Sequence, residues 1–253
     1  MSLKAIIAPS MLSSDFAQLA KEANEIVAVN GADWLHMDVM DGHFVNNLTL
    51  GAPVIQCLRK HTPAFLDCHL MVERPQDYIT PFKNAGANLF TFHYEATGIP
   101  GNPITPMEVV QQVKQAGMFC GISIRPPTPV DVLLDSGLAA AVDMVLIMTV
   151  NPGWGGQSFM GEMMSKVHTL RERYPHLLIQ VDGGLGPDTI DTAARAGANV
   201  IVAGSSVFKA ADRKGVIETL RTAVAAHAAA IPHEAIVQAT LRGKEQTHVA
   251  AHH

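Results

Sequence analysis

The chain has 253 residues, of which 48% are hydrophobic and 16% are charged, and its formal net charge is -5. This composition supplies a large apolar core and excludes an intrinsically disordered protein. The acidic balance, without a run of lysine or arginine, argues against a nucleic acid or an anionic membrane as partner, so we expect a small-molecule partner.

The cysteines and the amino-terminal region indicate the compartment. Cys57, Cys68 and Cys120 are odd in number and show no Cys-x-x-Cys spacing, so neither a disulfide framework nor a zinc knuckle is expected. Pro9 interrupts the first apolar run, and nowhere do 18 apolar residues follow one another. We therefore expect a cytoplasmic protein in a reducing setting, neither secreted nor inserted in a membrane.

Short apolar runs typical of buried strands alternate along the chain with longer segments of helical periodicity. Eight strands are predicted, over residues 5–9, 33–38, 64–71, 89–93, 118–124, 144–149, 177–182 and 200–204. Helix candidates follow them near 15–29, 51–61, 75–85, 105–116, 129–136, 158–173, 187–196 and 212–228. Strict alternation of eight such units is typical of an α/β protein whose parallel strands close into a (β/α)8 TIM barrel. We expect one barrel domain over residues 1–230 and a peripheral or mobile C-terminal extension over 231–253.

Two kinds of loop interrupt this repeat. The segments Asn-Gly-Ala-Asp at 30–33, Ala-Gly-Ala-Asn at 85–88 and Ala-Gly-Ala-Asn at 196–199 each end a predicted helix and lead into a strand. Glycine after a helix is turn chemistry, so these segments are expected to be structural. Residues 96–106 form a longer Gly/Pro-rich loop after the fourth strand, for which a surface insertion is favoured over a lid.

Polar side chains interrupt the second predicted strand. Because side chains alternate along a strand, His36, Asp38 and Met40 share one face. His69 and Asp182 fall at the ends of the third and seventh strands, where (β/α)8 barrels carry their function. Two imidazoles and two carboxylates suit zinc, manganese or iron with positions open for substrate oxygens. Buried carboxylates without a cation or donors are costly, which favours a metal site.

Glycine-rich turns follow the last three strands. Residues 150–159 read Val-Asn-Pro-Gly-Trp-Gly-Gly-Gln-Ser-Phe, and Gly183-Gly184 and Gly204-Ser205 follow strands seven and eight. Such turns allow backbone N–H groups to converge on an anion, and barrels of this type often bind phosphate there. The predicted substrate is therefore a phosphate ester with an oxygen-rich reacting end.

Three methionines lie near strand ends: Met40, Met71 and Met148. Ordinary core packing and a place in the substrate pocket remain open for them. In the pocket, their soft side chains would exclude water from the reacting carbon without competing for the metal.

Two long segments resemble the ribulose-phosphate 3-epimerase family: Leu-His-Met-Asp-Val-Met-Asp-Gly-His-Phe-Val at 35–45 and Val-Leu-Ile-Met-Thr-Val-Asn-Pro-Gly-Trp-Gly-Gly-Gln at 145–157. The resemblance extends over roughly residues 3–228. It implies an isomerase of the pentose phosphate pathway that interconverts D-ribulose 5-phosphate and D-xylulose 5-phosphate. It also implies one divalent metal ion, with zinc expected and iron, manganese or cobalt as alternatives, and no organic cofactor. We further expect a homo-oligomer, either a dimer or a hexamer.

The resemblance assigns a role to each matching residue. For the metal it implies His36, Asp38, His69 and Asp182; for proton transfer Asp38 and Asp182; for the substrate Ser10, His69, Gly153, Trp154, Gly155, Gly156, Gly183, Gly184, Gly204 and Ser205. Two carboxylates on opposite sides of the substrate allow a proton to leave one face and return to the other through a cis-enediolate. Asp41 and His43 lie past the strand end and are expected to fix the adjoining loop.

Three other functions are weighed against this one. A 3-epimerase of D-allulose 6-phosphate would use the same metal and phosphate groups. A related phosphosugar decarboxylase is disfavoured, because residues 38–41 read Asp-Val-Met-Asp where those barrels carry a lysine. A phosphosugar-binding sensor without activity is disfavoured by the complete acid/base pair. One departure from the family is Asn46, where a proline is usual.

Overall fold

The computed structural model describes residues 4–228, so the extension predicted over 231–253 lies outside the described residues. Eight strands, β1 to β8, span Ile6–Pro9, Trp34–Met40, Phe65–Met71, Leu89–His93, Phe119–Ile124, Met144–Met148, Leu178–Asp182 and Val200–Ala203. All neighbouring strands are parallel, in the order β1-β8-β7-β6-β5-β4-β3-β2. A single parallel bridge between Ser10 and His36 joins the two edge strands. The predicted TIM barrel is confirmed, and its closure falls beside two predicted site residues.

Within the described residues, ten α-helices alternate with the strands. Helices α1 to α10 span Leu19–Asn24, Ala52–Arg59, Ile79–Ala85, Pro106–Gln115, Asp131–Asp135, Leu138–Ala141, Met164–Arg173, Ile190–Ala196, Ser205–Phe208 and Arg213–His227. The strict pairing of one helix with each strand is wrong at two places, because α6 and α9 are additional helices. Gly137, with φ of 73°, separates α5 from α6. Helix α1 continues as a π-helix over Glu25–Val29, so the first candidate helix is composite.

Alternation along the strands separates two apolar layers. Leu35, Met37 and Val39 of β2 belong to the large core between the sheet and the helices. Trp34 belongs to a smaller core inside the barrel and stacks on Phe65 with ring centroids 4.3 Å apart. This inner core fills the amino-terminal end of the barrel, which leaves the inward-facing polar residues together at the carboxyl end.

The repeated helix-to-strand turns are held by arginines from neighbouring helices. Arg171 of α7 donates to Gly197 O at 2.9 Å, to Leu177 O at 2.8 Å and to Asn199 Oδ1 at 2.9 Å. Asn199 Oδ1 also accepts the backbone N–H of Ile179 at 2.9 Å. The turn residue thus connects a helix end to the start of β7.

The same arrangement recurs at the other two turns. Arg59 of α2 donates to Gly86 O at 3.1 Å and to Asn88 Oδ1 at 2.7 Å. Arg221 of α10 donates to Asp33 Oδ2 at 2.6 Å. All three turns lie at the amino-terminal end of the barrel, and their polar residues are engaged in structural bonds.

Replacing Arg171 with methionine is expected to destabilise the fold by about 2 to 3 kcal/mol, because several partly buried carbonyl groups lose a charged donor. Activity should stay unchanged, since the turn lies at the opposite end of the barrel from the candidate site. Chemical denaturation measures the effect. Arg173→Met, at an exposed position of the same helix, is the matched control. Equal stability of the two variants would contradict the role given to Arg171.

The loop at 96–106 is anchored to the protein surface. Buried Asn102 donates to Ala96 O at 2.7 Å and to Glu73 O at 3.3 Å, and Gln76 donates to Asn102 Oδ1 at 2.7 Å. None of the loop residues lines the cavity described below. The arrangement favours a surface insertion over a lid.

No helix in the described part of the chain is long and apolar enough to cross a membrane.

Candidate metal and catalytic site

The four residues predicted to bind a metal converge at the carboxyl end of the barrel. His36 and Asp38 come from β2, His69 from β3 and Asp182 from the end of β7. The parallel register sets Asp38 beside His69. One ligand atom from each of the four residues lies within 4.8 Å of all the others. Both imidazoles are fully buried, so the cluster is formed by the fold and not by mobile surface groups.

The donor set fits a divalent cation. His36 Nε2 and His69 Nδ1 are buried and have no hydrogen-bond partner. They lie 3.4 Å and 3.3 Å from Asp38 Oδ1, and both lie 3.8 Å from Asp182 Oδ2. An unpaired imidazole nitrogen is costly to bury, and a shared cation would satisfy both nitrogens together with the two carboxylates.

A second layer of polar groups orients His36. Its Nδ1 lies 2.7 Å from Asp67 Oδ2, and the same oxygen accepts a hydrogen bond from Gln180 Nε2 at 2.6 Å. A proton on Nδ1 leaves the lone pair of Nε2 directed at the cluster. Neither Asp67 nor Gln180 was among the residues predicted to form the site.

The two carboxyl groups of the cluster have different protonation tendencies. Burial raises the pKa of Asp38, but the neighbouring His36 and His69 outweigh it and lower that pKa well below the ordinary value. Burial and the charge of Asp38 raise the pKa of Asp182 to about 6. Burial alone would lower the pKa of His36, but the neighbouring Asp67 and Asp38 raise it by more. The pKa of His36 therefore lies above its ordinary value. A bound divalent cation would lower all of these pKa values.

A cavity of about 580 Å³, including its opening to solvent, lies above the cluster. Asp38 and Asp182 line it together with the three methionines Met40, Met71 and Met148. All three methionines are buried, and therefore combine core packing with a place in the pocket wall. Ser10, at the end of β1, also lines the cavity and donates to Asp38 Oδ2 at 2.6 Å.

The glycine-rich turns line the other side of the same cavity. The predicted residues found there are Gly153, Trp154, Gly155, Gly156, Gly183, Gly184, Gly204 and Ser205. Trp154 is also exposed to solvent. Gly183 and Gly184 have φ of 124° and 70°, which disfavours any other residue. A Cβ atom at Gly184 would lie 2.4 Å from Phe159 N, so the turn and the preceding loop are in close contact.

The loop after β2 is fixed against its neighbours. Asp41 Oδ1 accepts the N–H groups of His43 at 2.8 Å and Phe44 at 2.9 Å, as expected for a residue that holds the loop. Asn47 donates to Gly153 O at 2.9 Å and so ties this loop to the glycine-rich loop after β6. Neighbouring Asn46 is exposed, and the Asn47 side chain is the group that restrains the loop at this point.

Some lining residues lie outside every predicted part of the site: Leu12, Ser13, Leu185 and Val202. Val150, Pro152 and Gln157 also line the cavity and belong to the predicted 150–159 turn, although none of them was singled out. Ser13 is the clearest of the first four, because its hydroxyl would lie 2.6 Å from a Cβ atom at Gly204. Ser13 lies in the 3₁₀ turn Met11–Ser13 that directly follows β1, and this place after a strand end was the available signal. The apolar members resemble any other core residue in the sequence.

The barrel and its cluster define a class: (β/α)8 proteins with a candidate metal centre and a glycine-lined cavity at the carboxyl ends of the strands. Solved structures support the fold alone. 3-hexulose-6-phosphate synthase from Salmonella typhimurium has a TM-score of 0.64 at 16% identity, covering 90% of this chain and 100% of that chain. Orotidine 5'-phosphate decarboxylase from Pyrococcus horikoshii OT3 has a TM-score of 0.61 at 15% identity, covering 87% and 99%.

Within that class, the chain belongs to the ribulose-phosphate 3-epimerase family, whose sequence profile matches residues 6–208. It is 60% identical over 219 residues to the ribulose-phosphate 3-epimerase, cytoplasmic isoform, of Oryza sativa subsp. japonica, covering 86% of this chain and 93% of that protein. Identity to the ribulose-phosphate 3-epimerase of Candida glabrata is 50% over 238 residues, with 88% and 93% covered. The Mycobacterium tuberculosis H37Rv protein of that name is 46% identical over 220 residues, with 85% and 91% covered. The resemblance predicted from the sequence is confirmed.

Proposed function

We propose that the protein is a metal-dependent ribulose-phosphate 3-epimerase that interconverts D-ribulose 5-phosphate and D-xylulose 5-phosphate in the pentose phosphate pathway. The observation that carries the proposal is the pairing of Asp38 and Asp182, from different strands, in one cavity of a chain in this family. An assay of purified protein with ribulose 5-phosphate tests it directly. Absence of turnover by zinc-loaded, folded protein would favour the phosphosugar-binding sensor.

Inversion at carbon 3 sets the requirement for two acid/base groups. The proton must leave one face of the carbon and a proton must return to the opposite face, which a single fixed base does poorly. Asp38 on β2 and Asp182 at the end of β7 approach the cavity from different sides of the barrel. One carboxylate removes the proton to give a cis-enediolate, and the other carboxyl group delivers a proton from the other side.

The surrounding residues prepare the pair for these roles. Burial and the charge of Asp38 raise the pKa of Asp182 to about 6, but a cation bound by both carboxylates would lower it, so the two groups differ in their roles by position and not by pKa. Ser10 holds Asp38 in place through its hydroxyl. Met40, Met71 and Met148 limit the access of water to the reacting carbon.

His36, Asp38, His69 and Asp182 would hold the divalent ion, for which we propose zinc, with iron, manganese or cobalt as alternatives and no organic cofactor. When bound, the ion acts as a Lewis acid that stabilises negative charge developing on the substrate oxygens. A contact of His69 with the substrate stays a prediction, because its side chain is fully buried and is not among the residues that line the cavity.

The phosphate group would bind opposite the acid/base pair. Residues 153–156, Gly183-Gly184 and Gly204-Ser205 line the cavity, and their backbone N–H groups are the donors that we propose for the phosphate. Such converging N–H groups bind a phosphate without a cationic side chain. Binding of the phosphate would hold carbon 3 between the two carboxyl groups, so that part of the binding free energy serves to orient the reacting carbon.

Gly184→Ala is expected to raise KM for the phosphorylated substrate by about 10- to 100-fold, because the new Cβ would clash with Phe159 N and the residue has positive φ. Steady-state kinetics measures the change. Gly161→Ala is the control: that Cβ meets nothing closer than 3.7 Å, and φ is not positive. Similar KM values in the two variants would argue against a phosphate site at this turn.

A 3-epimerase of D-allulose 6-phosphate remains the alternative enzyme, since it would use the same acid/base pair and phosphate end. Comparing kcat/KM for ribulose 5-phosphate and allulose 6-phosphate separates the two functions. A higher value for the six-carbon sugar would overturn the proposed substrate. A cytoplasmic homo-oligomer, dimer or hexamer, stays a prediction that sedimentation analysis and localisation would check.

A further inference from the structure

The second nitrogen of His69 faces another buried histidine. His69 Nε2 lies 2.8 Å from His93 Nε2, at the end of β4, and both side chains are fully buried. Two imidazole nitrogens at this distance form a hydrogen bond only if one carries the proton and the other presents its lone pair. The tautomer of His93 therefore decides the tautomer of His69.

Glu95 sets the tautomer of His93. Glu95 Oε2 lies 3.3 Å from His93 Nδ1. The other oxygen, Oε1, accepts the backbone N–H of Arg125 at 2.7 Å and the hydroxyl of Thr128. Burial raises the pKa of Glu95, but its bonds with His93, Thr128 and Arg125 outweigh this and lower the pKa to about 2. A carboxylate accepts and cannot donate, so neutral His93 must carry its proton on Nδ1.

We propose that Glu95, acting through His93, is a positioning residue for the metal site. Its carboxylate takes the Nδ1–H of His93, which turns the His93 Nε2 lone pair toward His69. His69 then donates from Nε2, and its Nδ1 lone pair points at Asp38 and Asp182. This agrees with the finding that His69 Nδ1 is buried without a hydrogen-bond partner. The inference rests on the metal site of the proposed function.

The neighbours of this hydrogen-bonded chain keep it rigid. The ring of Phe44 packs on His93 with centroids 4.9 Å apart, and the Arg125 guanidinium lies 3.9 Å from the centre of the Phe44 ring. Lys166 Nζ donates to the carbonyls of Arg125 at 3.3 Å and Thr128 at 2.7 Å. The strand ends of β4 and β5 are thereby fixed to the loop after β2. Such outer partners of metal-ligating histidines fix ring orientation and tautomer.

Glu95→Gln should reverse the direction of the hydrogen bonds that run from residue 95 through His93 to His69, while keeping the size of the side chain. The backbone N–H of Arg125 requires an acceptor, so the amide oxygen takes the place of Oε1 and the amide nitrogen faces His93 Nδ1. His93 then accepts at Nδ1 and donates from Nε2. His69 must accept at Nε2 and carry its proton on Nδ1, which removes the lone pair from the metal site.

Two measurements on the full chain test the inference. Nitrogen-15 NMR of histidine-labelled, metal-free protein, at a pH where imidazoles are neutral, reports the tautomer of His69, whose signals are identified by their loss in His69→Asn. Competition with a chelator gives the dissociation constant for Zn²⁺. We expect the Nε2–H tautomer in the wild type, the Nδ1–H tautomer in Glu95→Gln, and zinc binding weakened by about 10- to 100-fold in that variant.

Two further variants serve as controls. Thr128→Val removes a donor to the same carboxylate but not the bond to His93, and should leave the tautomer and zinc affinity unchanged. Glu95→Asp keeps a carboxylate and should retain the Nε2–H tautomer of His69. If Glu95→Gln fails to fold, the zinc affinity of His93→Leu is measured instead. This variant removes the acceptor for His69 Nε2–H and should also weaken zinc binding.

The outcomes separate this inference from the proposed function. An unchanged His69 tautomer and unchanged zinc affinity in folded Glu95→Gln would overturn the positioning role, even if the wild type is an active epimerase. A wild-type protein that fails to bind zinc would overturn the zinc site, while the tautomer measurement would still decide whether Glu95 orients His69.

Discussion

Replacing Asp182 with asparagine is expected to abolish epimerisation while leaving the barrel folded, with kcat falling by about 100- to 10,000-fold. Asparagine keeps the size and an oxygen ligand but cannot carry the transferred proton. Asp182 lies at the end of β7 and is not part of the apolar cores that hold the barrel together. A steady-state assay and thermal unfolding measure the two effects. Activity within about tenfold of the wild type would contradict the assignment.

Asp38→Asn should show the same loss of turnover, and hydrogen exchange at carbon 3 then separates the two roles. In each variant the remaining carboxylate can remove and return a proton on its own face, so one epimer should exchange with solvent deuterium without being inverted. The two variants should exchange opposite epimers. Exchange of the same epimer by both would exclude a two-base mechanism. Asp191→Asn, at an exposed position of α8, is the control, and metal content is checked in all variants.

The strands of the barrel could be predicted because each is a short apolar run between turn residues, and their bounds lie within two residues of those expected. The helices α6 and α9 were missed because four residues are too few to show a helical period. The division of α5 from α6 depends on Gly137, whose positive φ is not visible in the apolar pattern.

The four candidate metal ligands could be proposed because the alternation in β2 puts His36 and Asp38 on one face, while barrel topology brings other strand ends to the same level. The residues that support these ligands could not be predicted from the sequence. Gln180 and Asp67 are 113 positions apart, and only the closed sheet brings them into contact. His93 was visible as a polar strand residue, but its bond to His69 depends on the rotation of both rings.

Removing the divalent metal with a chelator is expected to lower kcat by about 100- to 10,000-fold, since Lewis-acid stabilisation of substrate charge contributes several kcal/mol. Adding zinc back should restore activity. Iron, manganese and cobalt, added in parallel, rank the alternatives. The thermal unfolding midpoint should rise with the concentration of the added ion, because the ion binds the folded cluster and not the unfolded chain.

The stability measurement makes the metal prediction independent of catalysis. The metal-free protein should stay folded, because the cores on both sides of the sheet do not include the four candidate ligands. His36→Asn removes one of the two unpaired buried nitrogens and should reduce the stabilisation by zinc, whereas exposed His168→Asn should not. A chelated protein that retains full activity would contradict metal dependence. A zinc-induced shift equal in wild type and His36→Asn would show that zinc binds elsewhere.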